Sequence, residues 1–385
     1  MNNNDNLNKL NNFISKIDID KEKFFNFIKK NYKKIIIITI LIIILYIFFF
    51  IYYNRVNRYI NYAETLYNKL LQSNNLADNN EYMKGNYRVC DFYVASSYKS
   101  YLPCNYYYDY ASSKSIESIL KSGARLIDLD VMNKGFSSCT TPVIANGDEI
   151  GNWHYTTNFT FEEGIETIKK YAFSRFIKNN KDPLYININF KTWYNKDTIN
   201  RCAMIIKKHL SNKFIDQKYM YQGRFTNTNI CTSSIKDIIN KIVIMTTSDV
   251  HNTDMDEIVN LCSLKTGTLR LKTYEQIKES YDAKEISEYN KKNLTLVFPD
   301  YNNRIKKNNN FFTSYYLGCQ FILMNYSKPD QWMLEYIEQF KHCSFILKPY
   351  KLRYKPILIK PPLEQTSKVS FAPRKASSPF YNITY

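Results

Sequence analysis

The chain has 385 residues, enough for one large domain or two ordinary ones, with 53 Lys and Arg against 35 Asp and Glu and a formal net charge of +18. That balance suits an anionic membrane or nucleic acid. No basic helix or aromatic–basic repeat of a nucleic-acid reader accompanies it, so nucleic acid is set aside as a partner. Lys, Asn, Ile and Tyr are abundant throughout, as an AT-rich coding sequence would make them, and isolated Asn and Lys residues therefore carry little signal.

Residues 1–34 are polar and Asn-rich, with an amphipathic pattern over FISKIDIDKEKFFNFIKKNYKK. From Ile35 to Tyr53 the stretch IIIITILIIILYIFFFIYY carries neither charge nor proline. About 20 such residues span a bilayer, and a signal-peptide core is shorter and nearer the start. This stretch reads as a single transmembrane helix. Lys16, Lys21, Lys23, Lys29, Lys30, Lys33 and Lys34 precede it, against Arg55, Arg58 and Lys69 beyond it. That asymmetry places the N-terminus in the cytosol and the C-terminal domain on the lumenal or extracellular side, or outside an enveloped particle. All eight cysteines follow the anchor, so disulfides in an oxidising compartment are expected. Sequons at Asn158, Asn293, Asn325 and Asn382 agree with that side, although an Asn-rich chain also generates them by chance.

Residues 54–90 read as a helical, polar stalk. Between 91 and 353 short apolar runs alternate with amphipathic ones. The strand candidates are FYVASSY (92–98), ARLIDLDV (124–131), PVIAN (142–146), LYININF (184–190), KIVIMTT (241–247), LTLVFP (294–299), CQFILMNY (319–326) and SFILKP (344–349). Helical patterns fall between many of them, from SKSIESILKSG to PDQWMLEYIEQF. Eight strands with interleaved helices predict an α/β fold, a distorted TIM (β/α)8 barrel behind the transmembrane helix. Residues 354–385, with five prolines and no periodicity, read as an extended tail.

Sites in such barrels lie at the C-terminal ends of strands. Tyr98 and Lys99 end the first, Asp128 and Asp130 the second, Asn146 and Gly147 the third. Asn187 and Asn189 share one face of the fourth, and Met245 and Thr247 sit on the fifth. Asp128 and Asp130 are two apart on a strand and therefore point to the same side. A buried pair of carboxylates needs a cation between them; at a frayed strand end, water would suffice.

Ordered along the chain, SSYKSYL, GARLIDLDV, TPVIANG, FEEGIETIKKYAF and DPLYININF resemble the X region of phosphatidylinositol-specific phospholipase C. LTLVFPDYNNR and LGCQFILMNYSKPDQWMLEYIEQFKHCSFILKPYKLR resemble its Y region, giving X-like residues 91–250 and Y-like residues 290–353. The resemblance implies a distorted barrel that cleaves a phosphodiester with two histidines and a calcium ion. Carried over position by position, the first histidine is Tyr98, the first metal-binding asparagine is Lys99, and the second histidine is Asn146. Two oxygen ligands survive as Asp128 and Asp130, while the last, a glutamate in the family, is Asn189. The phosphate-binding lysines fall near Met245 and Thr247, and a later arginine and tyrosine near Leu296 and Phe298.

Tyrosine, with a pKa near 10, is a poor base at neutral pH, and asparagine transfers no proton. Each missing acid or base costs roughly 10²–10⁴ in rate. Lys99 beside the two aspartates stands where calcium would sit, so calcium is doubtful as a cofactor and Lys99 becomes its replacement. The expectation is a membrane-anchored pseudoenzyme whose pocket (Lys99, Asp128, Asp130, Asn189, Met245, Thr247) takes a phospholipid headgroup or serves a protein ligand. The alternative is an active phosphoric diester hydrolase with a rearranged acid–base pair, for which His154 and His251 are the candidates. Trp153, Tyr155, Phe159 and Trp332 are candidates for an aromatic rim.

Overall fold

The computed structural model describes all residues except 1–2, 73, 104–109, 135–139, 148–156, 221–227, 264–268, 301–306 and 357–371, with side chains left undescribed for residues 3–20 and 22. The chain forms two compact units, residues 1–353 and residues 354–385.

A single helix, α1 (Asn3–Leu70), runs without a break through the polar start, the apolar stretch and the expected stalk. It contains a stretch long and apolar enough to cross a membrane, and side chains from Ile36 to Ile51 are exposed. Beyond that stretch Val56, Ile60, Ala63, Tyr67 and Leu71 are buried. Their spacing of three or four is the apolar stripe of a helix packed on one side.

After a short helix, α2 (Asn80–Lys84), the barrel begins with β1 (Phe92–Ser97), α3 (Ser113–Lys121) and β2 (Leu126–Asn133). A hairpin-like excursion follows, β3 (Pro142–Ile144) and β4 (Phe159–Thr160), then α4 (Phe161–Tyr171), β5 (Leu184–Phe190), α5 (Lys196–Leu210) and β6 (Ile242–Thr246). The second half holds β7 (Leu261–Cys262), β8 (Leu269–Thr273), α6 (Tyr274–Lys278), α7 (Ala283–Asn290), β9 (Leu294–Phe298), α8 (Phe312–Tyr316), β10 (Phe321–Met324), α9 (Gln331–Gln339) and β11 (Phe345–Leu347). Helix starts carry their own caps: Thr160, Asn195 and Asp330 accept from backbone N–H groups of α4, α5 and α9, which satisfies donors that a helix start leaves free.

The parallel strands lie in the order β7-β6-β5-β2-β1-β10-β9-β8, a nearly closed, distorted TIM barrel of eight strands. Two predicted strands are not among them. PVIAN supplies β3, which pairs antiparallel with the overhanging end of β2, and SFILKP supplies β11, which pairs antiparallel with the start of β1. Their places are taken by β7, only two residues long, and by β8, whose sequence LRLKT alternates apolar and basic residues. The helical pattern TYEQIKESYDAKEISEY (273–289) reads as one helix but is interrupted: Asp282 starts a new helix by accepting from the Glu285 N–H.

Gly123 joins α3 to β2 at φ +87°, a left-handed turn that glycine adopts at little cost. The next barrel residue but one, Arg125, is fully buried and donates to the carbonyls of Ala172 and Asn179. The core at the N-terminal ends of the strands is aromatic, with Tyr185 and Phe321 in edge contact at 4.9 Å between ring centres.

The disulfide expectation is corrected for six cysteines. Cys90, Cys202, Cys231, Cys262, Cys319 and Cys343 form no disulfide, and five of the six are buried. They lie on elements scattered around the barrel, and burial pushes the thiols of Cys90, Cys319 and Cys343 up to about 12. Cys104 and Cys139 lie outside the described residues.

In the C-terminal unit, β12 (Lys375–Ser378) and β13 (Tyr381–Thr384) pair as an antiparallel hairpin.

Candidate active site

The parallel register of β2, β5 and β6 sets the site. Asp128 is level with Asn187, Asp130 with Asn189, and Asn187 in turn with Met245. Alternation along each strand sends these residues to the same side, and Asp128, Asp130, Asn187 and Asn189 line one cavity of about 380 Å³.

Every oxygen of the two carboxylates already accepts a bond. Asp128 Oδ1 accepts from Asn187 Nδ2 at 2.8 Å and from Asn189 Nδ2 at 2.9 Å, and its Oδ2 accepts from the Lys99 backbone N–H at 3.0 Å. Asp130 Oδ1 accepts from Asn189 Nδ2 at 2.9 Å. Its Oδ2 takes the Tyr101 hydroxyl at 2.8 Å, Lys191 Nζ at 2.9 Å and Lys99 Nζ at 3.3 Å. Lys99 also donates to Asn146 Oδ1 at 2.5 Å, and Lys191 to the Gly147 carbonyl at 2.9 Å. Two aspartates and two lysines thus close on one another with both acids almost fully buried.

The two acids are driven apart. Burial pushes the Asp128 carboxyl up, and the charge of Asp130 adds to that push. For Asp130 the same burial is outweighed by Lys191 and Lys99, which hold its carboxyl well below the usual range. Burial lowers the Lys99 ammonium, with Asp130 opposing. A pair of interacting acids titrates in this split way when one of them owns the counter-charges.

Calcium does not fit this donor set. A calcium site needs six to eight oxygen ligands with free lone pairs directed at it. Here the carboxylate oxygens point at N–H and O–H groups, and Asn189 presents its Nδ2 to both acids while its Oδ1 accepts from Thr247 at 2.5 Å. Two ammonium groups sit against Asp130 where a metal would have to bind.

The rest of the cavity is of mixed character. Leu271, Leu296, Phe298 and Leu323 give it an apolar wall, and Tyr98, Thr247 and Ser248 line it as well. Asn187 Oδ1 is buried and has no hydrogen-bond donor, although its Nδ2 is fixed by Asp128. An acceptor in that state fits a hydroxyl-bearing ligand.

Sequence reasoning brought together Tyr98, Lys99, Asp128, Asp130, Asn189 and Thr247, all of which line the cavity. Asn146 is reached through Lys99, though it follows β3 and so does not end a barrel strand. Met245 is a correction: it stands level with Asn187 but is fully buried and is not among the residues lining the cavity. His251 is exposed, with Nδ1 3.6 Å from Asp256 Oδ2, and is not among the lining residues. His154 lies outside the described residues, as do Trp153 and Tyr155.

Four participants were missed. Lys191 continues the alternation of Asn187 and Asn189 by two more positions, a signal present in the sequence. Tyr101 reaches Asp130 from two residues past Lys99, which takes a left-handed φ of 41°. Trp193 and Tyr194 stand at the mouth, 73% and 77% exposed, with φ of 49° and 57°.

Residues 86–248 match the family model of the phosphatidylinositol-specific phospholipase C X domain. Over that stretch the chain resembles the domain, and its barrel has the phospholipase C fold. Among solved structures, PLC21 of L. pealei superposes with a TM-score of 0.57 at 16% identity, over 69% of this chain and 38% of that one. PLC21 of S. officinalis gives 0.56 at 17% identity, over the same shares. The chain therefore spans well under half the length of these proteins and shares their barrel fold. No curated protein sequence matches it.

Proposed function

We propose that this chain is a membrane-anchored, catalytically inactive member of the phospholipase C-like barrels, one that holds a hydroxyl-bearing phospholipid headgroup without cleaving it. One observation carries the reading: Asp130 is neutralised by Lys99 and Lys191, and the oxygens of both surviving acids are saturated by donors. A site in that state has no carboxylate oxygen left vacant for a metal. Among the described lining residues there is no histidine, and Tyr98 and Asn146 stand at the family's acid–base positions. The unmet Asn187 acceptor and the ammonium pair favour a ligand with hydroxyl and phosphate groups, and the apolar wall favours a lipid over a free sugar phosphate. The apolar part of α1 supports the anchor.

The test uses the full chain in detergent micelles with phosphatidylinositol, assayed for phosphodiester cleavage with and without calcium, alongside headgroup binding by calorimetry. Binding without turnover is the expected result. Turnover that disappears in His154→Ala would establish a relocated base and overturn the reading.

A further inference from the structure

The amphipathic stretch ahead of the apolar one takes no part in the barrel. α1 is unbroken from Asn3 to Leu70, and its C-terminal part packs beside α3, where Glu64 pairs with Lys121 at 3.6 Å. With residues 35–53 crossing a bilayer, residues 23–34 emerge on the side opposite the barrel. They comprise five lysines, three phenylalanines, two asparagines, one isoleucine, one tyrosine and no acid.

The helix sorts these residues into two faces. At about 100° per residue, Lys23, Lys29, Lys30, Lys33 and Lys34 fall within an arc of roughly 140°, and Phe24, Phe25, Ile28 and Tyr32 within a separate arc of roughly 100°. Phe27 stands at the border, beside Lys34. All five lysines are exposed, and so are Phe24, Phe25, Phe27 and Tyr32. A helix with one cationic and one aromatic face is built to lie against a lipid surface.

Charge then selects the lipid. Lys29 and Lys33 are one turn apart, as are Lys30 and Lys34, and like charges at that spacing repel along a bare helix. Anions set between them turn the repulsion into attraction. All four lysines lie within about 9 Å of Ile35 along the axis, at 1.5 Å per residue, so their ammonium groups reach the headgroup layer bordering the bilayer core. Clusters of this size next to a span are drawn to anionic lipid. The arginines at the other end of the apolar stretch are already engaged: Arg55 lies over the Tyr52 ring at 5.2 Å, and Arg58 donates to the Ile51 carbonyl at 3.4 Å.

We propose that residues 23–34 are a binding site for anionic phospholipid in the leaflet away from the barrel, with the lysines on the headgroups and Phe24, Phe25, Ile28 and Tyr32 turned to the acyl boundary. The proposal rests on reading residues 35–53 as an anchor.

The full chain tests it, reconstituted in phosphatidylcholine vesicles with a trace of nitroxide-labelled phosphatidylserine or nitroxide-labelled phosphatidylcholine, whose spectra report how much of each lipid the protein holds. Labelled phosphatidylserine should be held several-fold more strongly than labelled phosphatidylcholine at low salt, and the preference should shrink in about 1 M salt, which screens the lysines. K29Q/K30Q/K33Q/K34Q should lose most of the preference and R55Q/R58Q should keep it, both resisting an alkaline wash like the wild type. Equal preference in the wild type and the four-lysine variant, or its loss in R55Q/R58Q alone, would overturn the proposal and leave the anchor standing. Release of the wild type by the wash would overturn the anchor and the proposal with it. Disulfide-linked dimers of F25C, formed equally with and without phosphatidylserine and not by the wild type, would show that a second copy covers the aromatic face, again against it.

Discussion

Lys191 Nζ lies 2.9 Å from Asp130 Oδ2, closer than Lys99 Nζ at 3.3 Å, so the ion pair that most defines the site is made by a residue just past the end of β5. Removing one member of a buried pair leaves the other uncompensated, at a cost of about 3–5 kcal/mol. Lys191→Met should lower the unfolding free energy by an amount of that order, measured by chemical denaturation. A loss below about 1 kcal/mol, the worth of a surface pair, would show that Lys99 alone suffices.

Acid should act on the same pair. The Asp130 carboxyl is held below its unfolded value, which is about 3.9, so its stabilisation is complete above that pH and fades as pH falls through the folded value. In Lys191→Met the folded value rises, and the acid-unfolding midpoint should move to higher pH than in the wild type. Identical acid-unfolding curves would contradict the assignment.

Calcium at millimolar concentration should leave the melting temperature of the wild type unchanged. A ligand at a hundred times its dissociation constant stabilises by about 2.7 kcal/mol, so even a weak site would be visible. A calcium-dependent rise in Tm that vanishes in Asp130→Ala would mean that the lysines can be displaced.

Asp182 supplies a second pH dependence of opposite sign. Its carboxyl is buried, with one oxygen accepting from the Leu76 N–H at 2.6 Å and the other unpartnered. Burial pushes its pKa up to about 7 in spite of Arg125, against about 3.9 unfolded. The folded state therefore binds the extra proton, and this contribution is fully present below pH 4 and lost as pH rises towards 7. Wild type should lose stability between about pH 4 and 7 relative to Asp182→Asn, by a few kcal/mol at most. A pH-independent difference between the two would refute the buried-acid account.

Trp193→Asn tests the strain at the mouth. A left-handed conformation costs a bulky L-residue roughly 1–2 kcal/mol, and asparagine tolerates it. The substitution should leave stability unchanged or raised by about 1 kcal/mol in denaturant unfolding, although a large side chain is lost. Marked destabilisation would mean that Trp193 packs on the domain.

Much of this was legible in the sequence. Period-two alternation placed Asp128 with Asp130 and Asn187 with Asn189, and both strands formed in register. The same alternation reaches Lys191, which went unread because it falls one residue past the apolar run. PVIAN and SFILKP do form strands, but their partners are decided by contacts distant in sequence, so strand propensity alone misassigned them to the barrel. The short β7 and the basic LRLKT of β8 carry too little apolar pattern to be read as barrel strands. Nothing local announces Trp193 and Tyr194 either, since no glycine marks that left-handed turn; the constraint comes from the surrounding fold. The packing of α1 beside α3 is equally non-local, although the stripe from Val56 to Leu71 shows that one face must be covered.

The twin lysines also restrict how this site can change over generations. Restoring a metal would require both ammonium groups to leave, yet losing either one first strands a buried carboxylate at a penalty of several kcal/mol. That is a large part of a typical domain's total stability of 5–15 kcal/mol. Each single step toward a metal site is thus selected against before any ion can compensate, so the lysine pair is hard to leave.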